Sequence, residues 1–333
     1  MLLLLTREVV QRNSIVPQMV DYDRLGSVWR PYLMYFHTPN YKSSVVNTDS
    51  EGFRYSTYGD QPISPTSLAA GRTHRILVGG STAFGVGSES DDSTIASHLA
   101  RSTSSPWLNM AGRAFTSVQE YLLFAAYHSR IPKIDTVVLL SGFNNLFLAQ
   151  RALPFTPPLG SFFYQQAFEA GMELFTKDRR ARLRSTLFGR SLTVPTQQRS
   201  ISEAIRLAVE LTHQSLQLWD FAAKARGIRL VFALQPTAHW SARSPHPNEA
   251  TLFSLLRNID PALTATLERL DDSCYSEYRE RLAHVCQNLG ITFLDINTHL
   301  RTTNNQDEWW HVDRVHYTSI GNERISDAIS SVL

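Results

Sequence analysis

The sequence predicts an α/β protein in which a parallel sheet is covered by helices on both faces. From His74 onward, short apolar runs alternate with amphipathic helical stretches. The apolar runs have the length of strands and are rich in Val, Ile and Leu, as strands buried on both faces should be. They cover residues 75–78, 107–110, 136–140, 228–234 and 291–296. Strands and helices that alternate in this way build parallel sheets between two helical layers.

The predicted helices lie near residues 93–101, 118–130, 201–226 and 273–289. Two of them begin with the spacing of a capping box, at Ser117 with Glu120 and at Ser200 with Glu203. The two cysteines, Cys274 and Cys286, fall in the last predicted helix. Twelve residues of helix separate them by about 18 Å, which is beyond the reach of a disulfide. We therefore expect two buried or partly buried thiols.

The composition indicates a soluble enzyme-sized globule. Of the 333 residues, 43% are hydrophobic and 19% are charged, and 32 basic against 30 acidic residues leave a formal charge of +2. This balance gives no reason to expect a nucleic acid or an anionic membrane as the partner. The leucines at positions 2–5 precede the first charge, the reverse of a signal peptide, and no apolar run approaches the roughly 20 residues of a membrane span. A cytoplasmic location is expected, whereas the oligomeric state is not indicated.

The chain divides into an arm and one main domain. Residues 1–72 have few periodic signals and are expected to pack on the core as a wrapped arm, while residues 73–333 form the main domain. An irregular insertion at about 148–199 interrupts that domain, and loops of such length are often lids or binding elements. Its aromatic residues include Phe162 and Phe163, which are candidate substrate contacts. A basic run at 177–184 is expected to be a solvated face, with contact to an anionic substrate as the alternative.

A serine stands on a glycine-flanked turn directly after the first strand, in Gly79-Gly-Ser81-Thr-Ala-Phe-Gly85. Ligands of open parallel sheets bind beyond the carboxyl ends of the strands, where this turn exposes a hydroxyl and a backbone N–H. A plain helix entry is the structural alternative. A phosphate-binding loop is excluded because Val86 stands where its lysine is required, and no dinucleotide fingerprint is present.

An Asp-x-x-His pair, Asp313 and His316, lies near the start of the last predicted helix. Residues three apart share one face of a turn, and an aspartate beside an imidazole fixes its tautomer and stabilises its cation. A surface pair that caps the helix is the structural alternative. His311 together with this pair resembles a metal set, but the spacing fits no known metal motif. We expect no metal site.

Two candidate oxyanion donors follow the next two strands. Gly112 offers a backbone N–H and Asn144 a side-chain amide, both at carboxyl ends of strands. Each such donor is worth roughly 3–4 kcal/mol in the transition state. A helix-entry turn at Gly112 and an Asx-turn at Asn144 are the alternatives.

The four pieces occur in the order Ser, Gly, Asn and Asp-x-x-His, and from about residue 74 onward the chain resembles the SGNH, or GDSL-like, hydrolases. The resemblance implies a flavodoxin-like, three-layer α/β/α sandwich with a five-stranded parallel sheet. It also implies that Ser81 is the nucleophile, His316 the general base and Asp313 its orienting acid. The N–H groups of Ser81 and Gly112 and the Asn144 side chain would form the oxyanion hole.

Two positions depart from the family pattern: Gly80 and Asn145 stand where the family has aspartates. An α/β-hydrolase fits less well, because position 83 is Ala rather than Gly and the acid and base are only three residues apart. The resemblance implies hydrolysis of an acyl ester through an acyl-enzyme, without metal or organic cofactor. Small-molecule, carbohydrate and lipid esters all remain possible substrates. An acyltransferase with the same triad, or a non-catalytic binding module that keeps the fold, are the alternatives.

Overall fold

The computed structural model describes residues 6–151, 153–176, 198–303 and 307–333. At its centre is a sheet of five strands, all parallel and in the order β2–β1–β3–β4–β5. The strands are β1 (His74–Gly79), β2 (Trp107–Ala111), β3 (Ile134–Ser141), β4 (Arg229–Leu234) and β5 (Thr292–Asp295). This order is that of flavodoxin-like sheets, which have their switch point between β1 and β3.

Both faces of the sheet are buried, because successive strand residues point to opposite sides. Ile76 and Val78 belong to the apolar core on one face and Leu77 to the core on the other. The first core is covered chiefly by helices Ser117–Tyr127, Phe143–Ala149, Ile201–Arg226 and Asp272–Leu289. The second is covered chiefly by helices Met19–Arg24, Ile95–Thr103, Ile296–Thr302 and Ser319–Ser330. The predicted three-layer α/β/α sandwich is confirmed.

The arm contains little regular structure. Its elements are helices Arg7–Ile15 and Met19–Arg24, and two short antiparallel ribbons, Ser27–Val28 with Phe36–His37 and Ser56–Tyr58 with Gln61–Ile63. Its side chains reach the core: the Tyr22 hydroxyl, for example, donates to the Gly85 carbonyl at 2.8 Å. The division of the chain at residue 72 stays a prediction.

The described residues form four further helices, one of which lies in the insertion. They are Ser81–Phe84, Gln165–Thr176, Pro247–Ile259 and Pro261–Glu268, with a 3₁₀ turn at His128–Arg130. No helix in the described ranges is long and apolar enough to span a membrane. The predicted basic run at 177–184 lies outside the described residues.

One helix start differs from its prediction. The cap of helix Ser117–Tyr127 is Thr116, whose N–H donates to Gln119 Oε1 at 3.1 Å. Glu120 instead points into the core and accepts a hydrogen bond from the Ser141 hydroxyl at 2.9 Å. Burial raises the pKa of Glu120 to about 8, although the hydrogen bond from Ser141 lowers it. At Ser200 the side chain does accept from the Glu203 N–H, as predicted.

The two cysteines are buried and unpaired within helix Asp272–Leu289.

Candidate active site

Ser81 follows two glycines, and the first of them, Gly79, adopts a backbone conformation that favours glycine. Gly79 has a φ of +155°, and a β-carbon there would lie 2.2 Å from the Leu140 carbonyl oxygen of the neighbouring strand. A β-carbon on Gly80 would lie 2.7 Å from Asn144 Nδ2. Ser81 is then the first residue of helix Ser81–Phe84, so its N–H has no partner within the helix. Gly80, where the family has aspartate, therefore leaves room for the Asn144 amide beside the serine.

Asp313 and His316 are brought to this serine in one hydrogen-bonded chain. Asp313 Oδ2 lies 2.6 Å from His316 Nδ1, and His316 Nε2 lies 2.7 Å from Ser81 Oγ. The other carboxylate oxygen of Asp313 accepts the N–H groups of Val315 and His316, both at 2.8 Å. The Thr82 hydroxyl donates to the Val315 carbonyl at 2.9 Å and joins the loop to the serine turn.

The electrostatics of the pair favour an ionised aspartate. Burial by itself raises the pKa of Asp313, but the charge and hydrogen bond of His316 and the N–H groups of Val315 and His316 lower it to about 2. An ionised carboxylate accepts a hydrogen bond from Nδ1–H. In the neutral imidazole, Nε2 then carries the lone pair that faces the serine hydroxyl. The arrangement can remove a proton from Ser81.

Asn144 lies at the same cavity as Ser81 and His316. Its Nδ2 donates to the Phe115 carbonyl at 2.7 Å, which fixes the orientation of the amide. Because an amide NH₂ has two hydrogens, one N–H remains for an oxyanion. The adjacent Asn145 is buried and structural: its Nδ2 donates to the hydroxyls of Ser117 and Thr212, at 2.8 and 2.7 Å.

Gly112, the expected backbone donor, makes a hydrogen bond within the fold. Its N–H donates to the Gly79 carbonyl at 3.0 Å, and a β-carbon on it would lie 2.3 Å from the Phe115 ring. Gly112 is absent from the residues that line the cavity around Ser81 within the described part of the chain. A glycine is required here because the chain packs closely under Phe115, and its N–H is already used by the sheet edge.

Ala114, which no motif in the sequence indicated, offers a backbone N–H near the cavity that is unused within the described residues. It lines the cavity and has a φ of +59°, which is uncommon for alanine. The Tyr35 hydroxyl donates to its carbonyl at 2.7 Å. The N–H groups of Arg113 and Phe115 donate to His37 Nε2 and the Gly112 carbonyl, whereas that of Ala114 has no hydrogen-bond partner in the described ranges. No sequence signal marks an alanine that adopts this conformation.

The cavity in front of Ser81 has a volume of about 510 Å³ and mostly apolar walls. The arm, the region after β3, and the segments near 263 and 315 all contribute to it. Its apolar and aromatic lining residues are Met19, Tyr22, Leu25, Tyr35, Val86, Phe143, Phe147, Phe163, Tyr164, Leu263 and Val315. Phe163 stacks on Phe147 with ring centroids 5.7 Å apart. Phe162 packs edge-on against Phe168 instead, so only one of the two predicted phenylalanines is among the lining residues.

Two arginines hold the arm against the serine turn. Arg54 is fully buried, and its guanidinium donates to the carbonyls of Phe84 and Gly85 at 3.2 and 2.8 Å and pairs with Asp91 at 2.9 Å. Arg113 donates to the Tyr22 carbonyl at 3.0 Å. The arm thus supplies one wall of the cavity and supports the helix that begins at Ser81.

His311 faces away from the serine. Its Nδ1 lies 3.1 Å from Glu249 Oε1, and its buried Nε2 has no hydrogen-bond partner within the described residues. Within the ranges that the structure describes, no group of three His, Cys, Asp or Glu side chains is arranged to hold a metal ion.

Comparison with known proteins finds no matching family model and no matching curated protein. Solved structures do match. One is an extracellular lipase from Streptomyces rimosus, with a TM-score of 0.43 and 14% identity over 78% of this chain and 100% of that chain. A member of the lipolytic G-D-S-L family from Veillonella parvula has a TM-score of 0.42 and 12% identity over 78% and 98%. A carbohydrate acetylesterase from Sinorhizobium meliloti has a TM-score of 0.42 and 12% identity over 79% and 100%.

G-D-S-L lipolytic proteins, the family that the motifs resemble, are thus among the matching structures. TM-scores and identities this low carry over neither an activity nor a substrate. The chemistry of the site is inferred from its own residues.

Proposed function

We propose that this chain is an SGNH-type serine hydrolase that cleaves an acyl ester through an acyl-enzyme intermediate. The observation that carries the proposal is the hydrogen-bonded chain from Asp313 through His316 to Ser81, with distances of 2.6 and 2.7 Å. A nucleophile, a base within hydrogen-bond reach and a group that orients the base are the signature of covalent catalysis.

In the first step His316 Nε2 takes the proton of Ser81 while Oγ attacks the ester carbonyl carbon. The negative charge that develops on the carbonyl oxygen is stabilised by preorganised donors: the Ser81 N–H, the Asn144 amide and the N–H of Ala114. The tetrahedral intermediate then collapses, and the imidazolium gives its proton to the departing alcohol. Asp313 stays ionised throughout and stabilises the imidazolium.

In the second step water attacks the acyl-enzyme carbonyl. His316 accepts the proton of that water, and the same donors hold the oxyanion. Collapse releases the carboxylic acid and returns the proton to Ser81. The steps involve side chains and backbone of this chain with the ester and water alone.

Labelling with a fluorophosphonate probe tests the proposal. The expected result is one adduct, on the peptide that contains Ser81, together with loss of para-nitrophenyl acetate hydrolysis. Ser81→Ala should show neither labelling nor hydrolysis, since the nucleophile is removed while the glycine turn remains. Ser102→Ala is the control: this exposed serine lies 2.9 Å from the Ser330 hydroxyl and donates to the Leu99 carbonyl at 3.3 Å. The control variant should still be labelled at Ser81 and should still hydrolyse the ester. An adduct elsewhere, or more than a few per cent of activity in Ser81→Ala, would refute the assignment.

A further inference from the structure

A second cavity of about 260 Å³ adjoins the catalytic one across Phe143, which lines both. Residues that are close together in the sequence line different cavities. Leu263 and Val315 line the catalytic cavity, whereas Leu267, one helical turn on, and Arg314 line the second. The two cavities therefore share a wall made by Phe143, the helix Pro261–Glu268 and the segment just before His316.

The second cavity has an excess of positive charge. Arg257 and Arg314 lie 3.3 and 3.8 Å from the same oxygen, Oε1 of Glu268, and His239 is a further lining residue. One carboxylate faces two guanidinium groups, so one positive charge is not balanced by this ion pair. We refer to His239, Arg257 and Arg314 as the cationic groove.

The Arg314 side chain is held by its neighbours, and one of its N–H groups has no hydrogen-bond acceptor in the described residues. Its side chain is 19% exposed, and its guanidinium lies 5.5 Å from the centre of the Phe253 ring. Its Nε is buried and has no hydrogen-bond partner among the residues that the structure describes. The guanidinium of Arg314 therefore has hydrogen-bonding capacity that the described residues do not use. Arg314 and His239 also line an adjoining cavity of about 200 Å³, which gives further room beside the guanidinium.

We propose that the cationic groove binds an anionic group, a carboxylate or a phosphate, carried by the alcohol part of the ester. The planar guanidinium fork matches both groups through paired hydrogen bonds. The aromatic walls beside Ser81 suit the acyl part, which leaves the charged end for the far side of Phe143. The inference rests on the proposed ester hydrolysis and names a substrate class for it.

Anion binding is tested without catalysis in the Ser81→Ala protein. At constant ionic strength, inorganic phosphate or malonate should raise its thermal midpoint in a saturable way. The added change Arg314→Gln should remove that rise, and Arg257→Gln should weaken it. Arg206→Gln, which alters an exposed arginine that pairs with Glu210 at 3.4 Å, should keep it. A rise with only one of the two anions identifies the ligand as phosphate or carboxylate. No rise, or an equal rise in every variant, would overturn the proposal.

The substrate class is tested with two esters that differ in charge, para-acetoxybenzoate and para-acetoxybenzamide. For the parent protein, kcat/KM should favour the anionic ester. The ratio of the two kcat/KM values should fall about tenfold in Arg314→Gln, since a hydrogen bond to a charged group is lost, and should not change in Arg206→Gln. An unchanged ratio in both Arg314→Gln and Arg257→Gln would refute the role in substrate choice.

The two proposals fail in different ways. If ester hydrolysis is wrong, neither ester is cleaved, yet the phosphate and malonate titrations of Ser81→Ala still decide whether the groove binds anions. If only the groove is wrong, the neutral ester is cleaved and fluorophosphonate labels Ser81, while the titrations and the charge ratio show no dependence on Arg314.

Discussion

His316 and His311 lie five residues apart, and each has a carboxylate at its Nδ1, but their other nitrogens meet different surroundings. His316 Nε2 faces Ser81 Oγ at 2.7 Å, and its side chain is 18% exposed. His311 Nε2 is enclosed without a partner in the described residues, and its side chain is 3% exposed. An acid–imidazole pair is therefore not by itself a catalytic group. What decides its role is whether the free nitrogen reaches a nucleophile at the edge of a cavity.

The largest expected difference between the pairs is in turnover. His316→Ala should lower kcat for para-nitrophenyl acetate by about 10⁴–10⁶-fold, because the proton of the nucleophile then has no acceptor. His311→Ala should lower kcat by less than about tenfold, because its ring does not reach the serine. Steady-state kinetics of the two purified variants measure the difference. If His311→Ala were the more damaging, the triad proposed above would be wrong.

Replacing Asp313 should lower turnover, whereas replacing Glu249 should lower the stability of the fold. Asp313→Asn should cost up to about 10⁴-fold in kcat, since the amide favours the wrong imidazole tautomer. Glu249 Oε1 accepts the N–H groups of Trp310 and His311, both at 2.8 Å, and pairs with Arg243 at 2.7 Å. Breaking such a buried network costs about 3–5 kcal/mol of stability. Glu249→Gln should therefore lower the midpoint of urea unfolding while the folded fraction retains its turnover. Equal losses of kcat in both variants would contradict this separation.

Asn144 and Asn145 differ in a similar way: Asn144 lines the cavity, whereas Asn145 is buried. Asn144→Ala should lower kcat by about 10²–10³-fold with little change in KM, because the lost donor acts on charge that develops in the transition state. Asn145→Ala should chiefly destabilise the fold, by about 1–3 kcal/mol for each buried partner left unsatisfied. Comparing kcat with thermal midpoints checks both. A large KM effect at constant kcat would make Asn144 a substrate-binding residue instead.

The smallest expected difference is in the loss of thermal stability at low pH. Burial by itself raises the pKa of Glu249, but His311, the His246 N–H and Arg243 lower it to about 2, the value also reached by Asp313. A lowered pKa adds stability that is present above the unfolded value, about 4, and is lost as the pH falls toward the folded value. The thermal midpoint should therefore fall on acidification from about pH 5 to about pH 3. It should fall less in Glu249→Gln, and identical profiles would show that this ion pair does not contribute.

Much of the fold and of the proposed triad followed from local patterns. The five strands were predicted to within about two residues at most ends, because each is a short apolar run between helices. Ser81, Asp313 and His316 were predicted to act together because the order and spacing of their motifs resemble those of the SGNH hydrolases. These features depend on order and spacing, which a sequence contains.

The walls of the cavity and the second backbone N–H donor were not predicted, because they depend on contacts between residues that are distant in the sequence. Ala114 adopts a positive φ beside Tyr35, and no local pattern marks it. The arm, which lacks periodicity, proved to line the cavity through Met19, Tyr22 and Leu25. Phe162 and Phe163 are adjacent and chemically alike, and only the packing of Phe163 on Phe147 distinguishes them. The resemblance assigned the family's glycine to Gly112, whose N–H donates to the Gly79 carbonyl, whereas the N–H of Ala114 has no hydrogen-bond partner in the described residues.

The hydrogen bonds from Thr82 to Val315 and between Ser81 and His316 join positions 233 and 235 residues apart. Closing a chain loop of this size has an entropic cost that is recovered only when the intervening sheet and helices are in place. We therefore expect the contact between Ser81 and His316 to form late in refolding, and a fragment that lacks either end of this loop cannot form it. If Ser81 is the nucleophile, the time at which it becomes reactive toward a fluorophosphonate during refolding tests this expectation.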